Sequence, residues 1–459
     1  MTGRSPTVAI VGAGLGGSLM ALYLARRGYR VDVYERRPDV RTEATPGPSM
    51  NLGLSRRGID SLARVGLADA ALARAIPMAG RVVHGADGEL SFQPYGVRRG
   101  EVIQAIQRND VNAVLIEAAA REPGTTFHFR RRLVQLDREG PELEVAAEDG
   151  GEPERVRADF VVGADGISST VRHFVQRGER ADLHREFLDW GWRELRIPPG
   201  PGGAFRMEVN AFHLWPRGGS MLFAHPNWDG SFTCSFVLPL EGPVSFATLA
   251  TADAIEAFFA RTYPDLPELI SDLSEQFLAN PTVLLGSVRT SPWFHRDRAV
   301  LLGDAAHAVV PFYAQGMNAA FEDCAVLDDC LGRHRDGDRD GAFAEYQALR
   351  RPHTDALEGM SKRNFVELRD TVRSPWLRAK KRLDLALNRL LPGRWMPLHA
   401  RVTHTTVPYA EAQKLARRQD RILARTGAAA AALLLLLALS RLMPGPRRPR
   451  NPRGPDHAP

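Results

Sequence analysis

An α/β fold with an inserted antiparallel sheet and a helical C-terminal region is predicted by three observations. A glycine-rich turn joins a short apolar strand to a helix at the N-terminus. Two later apolar strands each end in a turn containing Gly and Asp. The stretches around them turn aromatic and Pro/Gly-rich with alternating apolar positions, before the sequence becomes helical in its last third.

Thr7 to Val11 reads as a buried strand, Leu15 to Arg27 as a helix and Arg30 to Tyr34 as a second strand. Together they form a β-α-β unit of about 30 residues, the length such a crossover requires. Arg57 to Ala75 is helical with a break at Gly66. Residues 76–100 and roughly 181–284 carry alternating runs such as Phe232-Thr233-Cys234-Ser235-Phe236, the pattern of antiparallel sheet. Ala299 to Leu302 is a further buried strand, and Phe321 to about Arg425 is helical.

The 459 residues suit two or three domains, and 44% hydrophobic with 25% charged residues excludes both a disordered chain and a polytopic membrane protein. The formal charge of +6 does not point to nucleic acid. Residues 411–459 hold ten basic side chains against three acidic ones, which leaves the rest of the chain close to neutral. Only Lys362, Lys380, Lys381 and Lys414 are lysines, an arginine bias typical of a GC-rich genome. Three cysteines without a CxxC exclude a disulfide framework and a structural zinc site, so no metal is expected. They suit a reducing, cytoplasmic compartment, and the first apolar run is too short for a signal peptide.

Gly12-Ala13-Gly14-Leu15-Gly16-Gly17 fits G-x-G-x-x-G. Gly12 serves the tight turn, Gly14 lets backbone approach a pyrophosphate, and Gly17 lets helix and strand pack closely. The helix start at Leu15 offers unpaired N–H groups to phosphates. Glu35, followed by Arg36, ends the second strand where a carboxylate accepts from an adenosine ribose. That acid would clash with a 2′-phosphate, so the bound dinucleotide is FAD or NAD rather than NADP. Gly163-Ala164-Asp165-Gly166 and Gly303-Asp304-Ala305-Ala306-His307 each follow a strand, the second running on to Pro311 and Gly316-Met317-Asn318. There Asp304 can bind ribityl hydroxyls, and a helix opening at Gly316 can present its positive end to a flavin.

These three motifs are similar to those of the single-component, FAD-dependent aromatic hydroxylases of the p-hydroxybenzoate hydroxylase type. The resemblance implies FAD held by the first glycine motif, by Asp165 and by Gly303-Asp304, with Arg108 contacting it from a helix start. It also implies NAD(P)H as reductant, NADPH ahead of NADH, and O₂ as co-substrate. One atom of that O₂ enters an aromatic ring. Within this group the chain resembles the kynurenine 3-monooxygenases over nearly its whole length. Matching segments include Ser49-Met50-Asn51-Leu52, Arg81 with His84, Gln93-Pro94-Tyr95-Gly96, His213-Leu214-Trp215-Pro216 and Tyr263-Pro264-Asp265.

The expected substrate is therefore a small aromatic amino acid. Arg81 and Tyr95 suit its carboxylate, because a bidentate guanidinium fixes orientation as well as charge. Asn364 and His399 match further substrate-binding positions, and Ile103, Met221 and Phe236 are candidates for the apolar wall. No catalytic acid–base pair is assigned: an aniline nitrogen already donates into the ring, leaving the protein to exclude water. His307 reads as structural. The chain departs from the pattern at His399 (a tyrosine in the family), Phe365 (also tyrosine), Ala314 (glycine) and Pro46-Gly47-Pro48, so another aminoaryl acid or a modified kynurenine is the alternative substrate. A flavin halogenase is excluded, since Trp190-Gly191-Trp192 is spaced wrongly from Ile197-Pro198 and no lysine precedes Lys362. A non-catalytic, membrane-tethered nucleotide-binding protein would leave the two later motifs unexplained.

The expected organisation is a discontinuous FAD-binding domain over 1–75, 101–180 and 285–345, with a substrate domain over 76–100 and 181–284. A helical region over 346–425 follows, then an apolar segment and basic Pro-rich tail over 426–459. Thr426 to Ser440 carries no charge and is flanked by arginines. That pattern fits a membrane-surface helix spanning 426–453, a helix packed on the protein, or a disordered tail, and does not separate them.

Overall fold

The computed structural model describes residues 5–43, 51–98, 100–137, 139–178, 180–334, 337–371 and 374–442, side chains of 371 and 427–442 excepted. Pro46-Gly47-Pro48, Ser49-Met50 and the tail beyond 442 lie outside the described residues.

The N-terminal unit forms as the sequence predicts: strand Thr7–Val11, helix Leu15–Arg26 and strand Arg30–Glu35. Thr7–Val11 is almost wholly apolar and buried, as a central strand of a sheet covered on two sides is, while Arg30–Glu35 buries Val31, Val33 and Tyr34. Thr7–Val11 pairs in parallel with Arg30–Glu35 on one side and Phe160–Gly163 on the other. The sheet continues to Thr125–Phe129 beyond the former, and to Ala299–Leu301 and then Phe294–His295 beyond the latter. The three strands that lead into the glycine and Gly/Asp turns are therefore central neighbours, and those turns emerge together at one edge.

A seven-stranded sheet supplies the second layer. Its order is Val283–Ser291, Asp182–Ile197, Phe232–Pro239, Met221–Pro226, Ala211–Pro216, Gly80–His84 and Leu90–Pro94. All pairs are antiparallel except Gly80–His84 with Ala211–Pro216. Strand alternation gives this sheet two different faces. One carries Val83, Trp192, Leu214, Met221, Phe223 and Val237, packed with Val310, Phe312 and Phe365. The other carries Leu195, Trp215, Leu222, Cys234, Phe236 and Leu238.

The second face corrects the expectation of sheet throughout 181–284. Helices Ala252–Thr262, Leu266–Leu269 and Leu273–Ala279 cover it, with Phe258, Phe259, Tyr263 and Phe277 packed among its rings. An all-apolar sheet face must be buried, and these helices bury it.

Helices Gly316–Arg333 and Arg339–Val366 cover the first sheet, and Tyr409–Leu442 ends the described chain. The described residues up to 412 form one compact unit and those from 413 to 442 belong to another. Among the described residues no helix is long and apolar enough to cross a membrane. All three cysteines are free and buried.

Candidate functional site

A cavity of about 530 Å³ opens where the three turns meet, within the size range of cofactor sites. Gly14, Leu15, Glu35, Arg108, Gly303, Asp304, Pro311, Gly316 and Met317 line it, all predicted from sequence. Behind it, Gly12 takes φ +104°, a conformation that excludes other residues, and a Cβ there would stand 2.5 Å from the Ala164 carbonyl oxygen. A Cβ on Gly17 would lie 1.9 Å from the Gly12 carbonyl oxygen, so the helix packs directly against the turn. At Gly14 a Cβ would meet nothing within 4 Å and would project into open space at the helix start.

The Glu35 carboxylate accepts from the Ala13 N–H (2.8 Å) and the Arg37 N–H (2.9 Å), which fixes it beside the glycine turn. Arg37 lines the cavity and Arg36 does not. Asn112 donates to the Ala13 carbonyl (2.9 Å) and keeps a buried Oδ1 without a partner among the described residues, at the cavity wall. Asp304 opens onto the cavity but is otherwise surrounded by protein. Burial raises its carboxyl pKa, while His307 and Arg108 pull it back. Helix Gly316–Arg333 points its first N–H groups into this space, a partial positive charge that favours an anionic ligand. An open glycine cradle, a carboxylate at a ribose position and a helix start facing the same volume fit FAD.

The side chains of Asp165 and Asn318 are engaged within the protein, and His307, read as structural, sits in a buried network. Asp165 accepts from Ser169 Oγ (2.5 Å) and from the Thr170 (2.6 Å) and Val171 (3.1 Å) N–H groups, capping helix Thr170–Gln176. Asn318 accepts from the Ser55 N–H (2.8 Å) and donates to the Gly53 carbonyl (2.8 Å), tying helix to sheet in the interior. His307 bonds the buried Asp323 (2.5 Å), which also accepts from the Gly303 N–H (3.1 Å) and Arg350 Nε (2.6 Å). Burial would raise the Asp323 carboxyl pKa, but the charges of His307 and Arg350 hold it below the usual carboxylate range. This buried network holds the Gly303-Asp304 turn from behind.

The predicted substrate residues sit on the sheet side. Arg81 shares a face with Val83, whose cluster includes Trp192 and Phe223 of the cavity wall. Its Nε and Nη2 both donate to Gln93 Oε1 (3.0 and 2.8 Å). Tyr95 stacks on His399 at 5.2 Å, and Tyr313 lies against the same imidazole at 5.8 Å. Burial lowers the His399 pKa to about 3, helped by the positive charges of Arg81, His404 and Lys381, so the ring is neutral. Ile103 lies across Gly53 from Ala314, and Met221 shares the Phe223 face. Asn364 donates to the Phe312 carbonyl (2.6 Å), and Phe365 stacks on Phe312 at 4.5 Å. None of Arg81, Tyr95, Ile103, Met221, Asn364 and His399 borders the cavity itself. Phe236 points to the opposite sheet face, among Phe246, Phe258, Phe259 and Phe277; strand parity separates it from the cavity.

Sequence reasoning did not place Trp192, Phe223 or His225 in the site, yet they line the sheet side of the cavity. His225 is buried against Phe212 at 4.9 Å, and burial, then His213, brings its pKa down to about 4. Phase along Met221–Pro226 would have placed Phe223 and His225 beside Met221.

This architecture defines an FAD-binding protein, and the pattern of the FAD binding domain family matches residues 5–226 and 277–361. Solved structures share the fold. PqsL of Pseudomonas aeruginosa in complex with 2-aminobenzoylacetate superposes with TM-score 0.64 at 23% identity, over 80% of this chain and 97% of that one. A point variant of Klebsiella pneumoniae HpxO complexed with FAD gives 0.66 at 20%, over 84% and 97%. Among curated proteins, kynurenine 3-monooxygenase of Salinispora arenicola is 50% identical over 99% of this chain and 100% of its own length. That of Myxococcus xanthus is 42% identical over 91% and 90%. The chain belongs to the kynurenine 3-monooxygenase family of FAD-dependent hydroxylases.

Proposed function

We propose that this protein is an FAD-dependent, NADPH-consuming monooxygenase that hydroxylates L-kynurenine to 3-hydroxykynurenine. The observation that carries this reading is the convergence of three flavin motifs on one cavity, walled by the sheet face that bears Arg81. Bound FAD supplies electron transfer from NADPH and activation of O₂. The chain supplies placement. Gly14, Glu35, Arg108, Asp304 and the Gly316 helix start hold the cofactor. Arg81 and Tyr95 take the substrate carboxylate, beside a neutral His399. Trp192, Phe223 and the uncharged His225 keep the sheet side dry, which protects activated oxygen from loss as H₂O₂.

The test is direct. Purified protein should carry a flavin absorption spectrum, and NADPH oxidation with L-kynurenine should yield 3-hydroxykynurenine. A colourless protein unable to take up FAD overturns the whole reading. Hydroxylation of another aminoaryl acid is the second reading, favoured by His399 and Phe365 where the family carries tyrosines. NADPH oxidation yielding only H₂O₂ would select it. For residues 426–453 we propose contact with a membrane surface, from the arginines flanking an uncharged run. Equal partition of full-length and truncated protein between membrane and soluble fractions would remove that proposal.

A further inference from the structure

Three sequence segments that the flavin chemistry does not use meet at one place on the far face of the seven-stranded sheet. They are His84 at the end of strand Gly80–His84, His213 and Trp215 on the neighbouring strand, and Asp265 after helix Ala252–Thr262. His84 Nδ1 stands 3.3 Å from Asp265 Oδ2, His84 Nε2 stands 2.9 Å from His213 Nδ1, and His213 Nε2 stands 2.8 Å from the Glu208 carbonyl oxygen. Trp215 stacks on His84 at 3.8 Å and donates its Nε1–H to the same Asp265 oxygen (2.6 Å). Both imidazoles are buried.

The protons can be counted. A carbonyl and a carboxylate only accept, so His84 Nδ1 and His213 Nε2 must each carry a hydrogen. The contact between the rings needs a third. Two neutral imidazoles hold only two. We infer that the His84–His213 pair carries one imidazolium charge, paired with Asp265, and that these linked side chains position Arg81. The second clause rests on Arg81 as the carboxylate holder proposed above.

The surrounding groups place the charge on His84. Burial, against the bond to Glu208 and with the help of the neighbouring His84, lowers the His213 pKa to about 4, so His213 is the neutral ring. For Asp265 burial acts upward, but the bonds from His84 and Trp215 prevail and hold it below the usual carboxylate range. Arg217 donates to the His84 carbonyl (2.9 Å) and lies over the Tyr263 ring at 5.1 Å. The carboxylate of Glu208 acts on His213 to raise its pKa, and His225 lies on the opposite face of the sheet, against Phe212.

The mechanical consequence follows from strand geometry. Gly80–His84 is the next-to-edge strand, with Arg81 opposite Phe212 and Gln93 and Val82 opposite His213. A one-residue slip would turn Arg81 to the wrong face. The His84–His213 bond crosses the strand pair and ties that register to the helical layer through Asp265. Without the third proton only two of the three contacts can be kept, and the tie loosens.

Full-length holoenzyme labelled with ¹⁵N-histidine provides the test. A long-range ¹H–¹⁵N spectrum near neutral pH, assigned with His84→Gln and His213→Gln, should show His84 with two N–H protons and His213 with one. Two neutral rings would overturn the inference, and this readout requires no substrate. In kinetics, Asp265→Asn should raise the KM for kynurenine about tenfold with kcat and FAD content little changed. An unchanged KM in the variant would also refute the positioning role. If wild-type protein does not turn over kynurenine, the substrate reading fails while the proton count stands on the spectrum alone.

Discussion

Alanine at Gly14 and alanine at Gly17 should separate cofactor binding from folding. At Gly17 the new Cβ would lie 1.9 Å from the Gly12 carbonyl oxygen and 3.2 Å from Ala164 Cβ. The helix must withdraw by more than an ångström from a turn that has no slack. Overpacking of this kind costs about 1–3 kcal/mol or more. At Gly14 nothing lies within 4 Å of the added carbon and φ is −72°, which alanine adopts freely. Loss of a favourable helix-start residue and gain from a stiffer unfolded chain are each a few tenths to about 1 kcal/mol and oppose each other. The methyl nevertheless occupies the space a pyrophosphate needs, and one lost charge-assisted hydrogen bond of about 1.5–3 kcal/mol weakens FAD binding roughly ten- to 150-fold. Urea unfolding of apoprotein and FAD titration by fluorescence quenching read the two effects separately. Gly14→Ala protein that binds FAD as well as wild type, or Gly17→Ala apoprotein of undiminished stability, would refute the cradle.

Asp323→Asn leaves Arg350 and His307 facing a buried amide, and breaking such a network costs about 3–5 kcal/mol by urea unfolding. Because the Asp323 pKa is held low, its contribution is present above the ordinary carboxylate range. It is lost as pH falls through the folded value, and the variant should show less acid-induced loss. Ala314 sits in the left-handed region at φ +52°, so Ala314→Gly should raise stability by about 1 kcal/mol, read as an increase in the urea midpoint. Arg81→Ala should raise KM for kynurenine roughly ten- to 150-fold, the equivalent of about 1.5–3 kcal/mol, while the FAD spectrum stays unchanged. Unaltered affinity would remove Arg81 from the carboxylate site.

The glycine turn, the two Gly/Asp turns and the strands before them were legible in the sequence because each depends on neighbours within about six residues. Hydrophobic phase gave the N-terminal strands and helix for the same reason, but not the helices Ala252–Thr262, Leu266–Leu269 and Leu273–Ala279. Direction was another matter. Arg37 rather than Arg36 reaches the cavity, Phe236 packs under helices while Phe223 faces the cofactor space, and Asp165 and Asn318 spend their oxygens on caps and helix–sheet ties. Each outcome depends on which face of a sheet is covered by what, and the covering element lies far away in sequence. The meeting of His84, His213 and Asp265 has the same origin, since the parallel pairing of Gly80–His84 with Ala211–Pro216 joins residues 129 positions apart. The sequence by itself determined the cofactor and the family, because phosphate and ribityl recognition is written in local backbone turns. Only the tertiary structure decided which side chains face the reaction space and where the buried protons sit, because those depend on long-range register and on which polar atoms burial leaves to be paired.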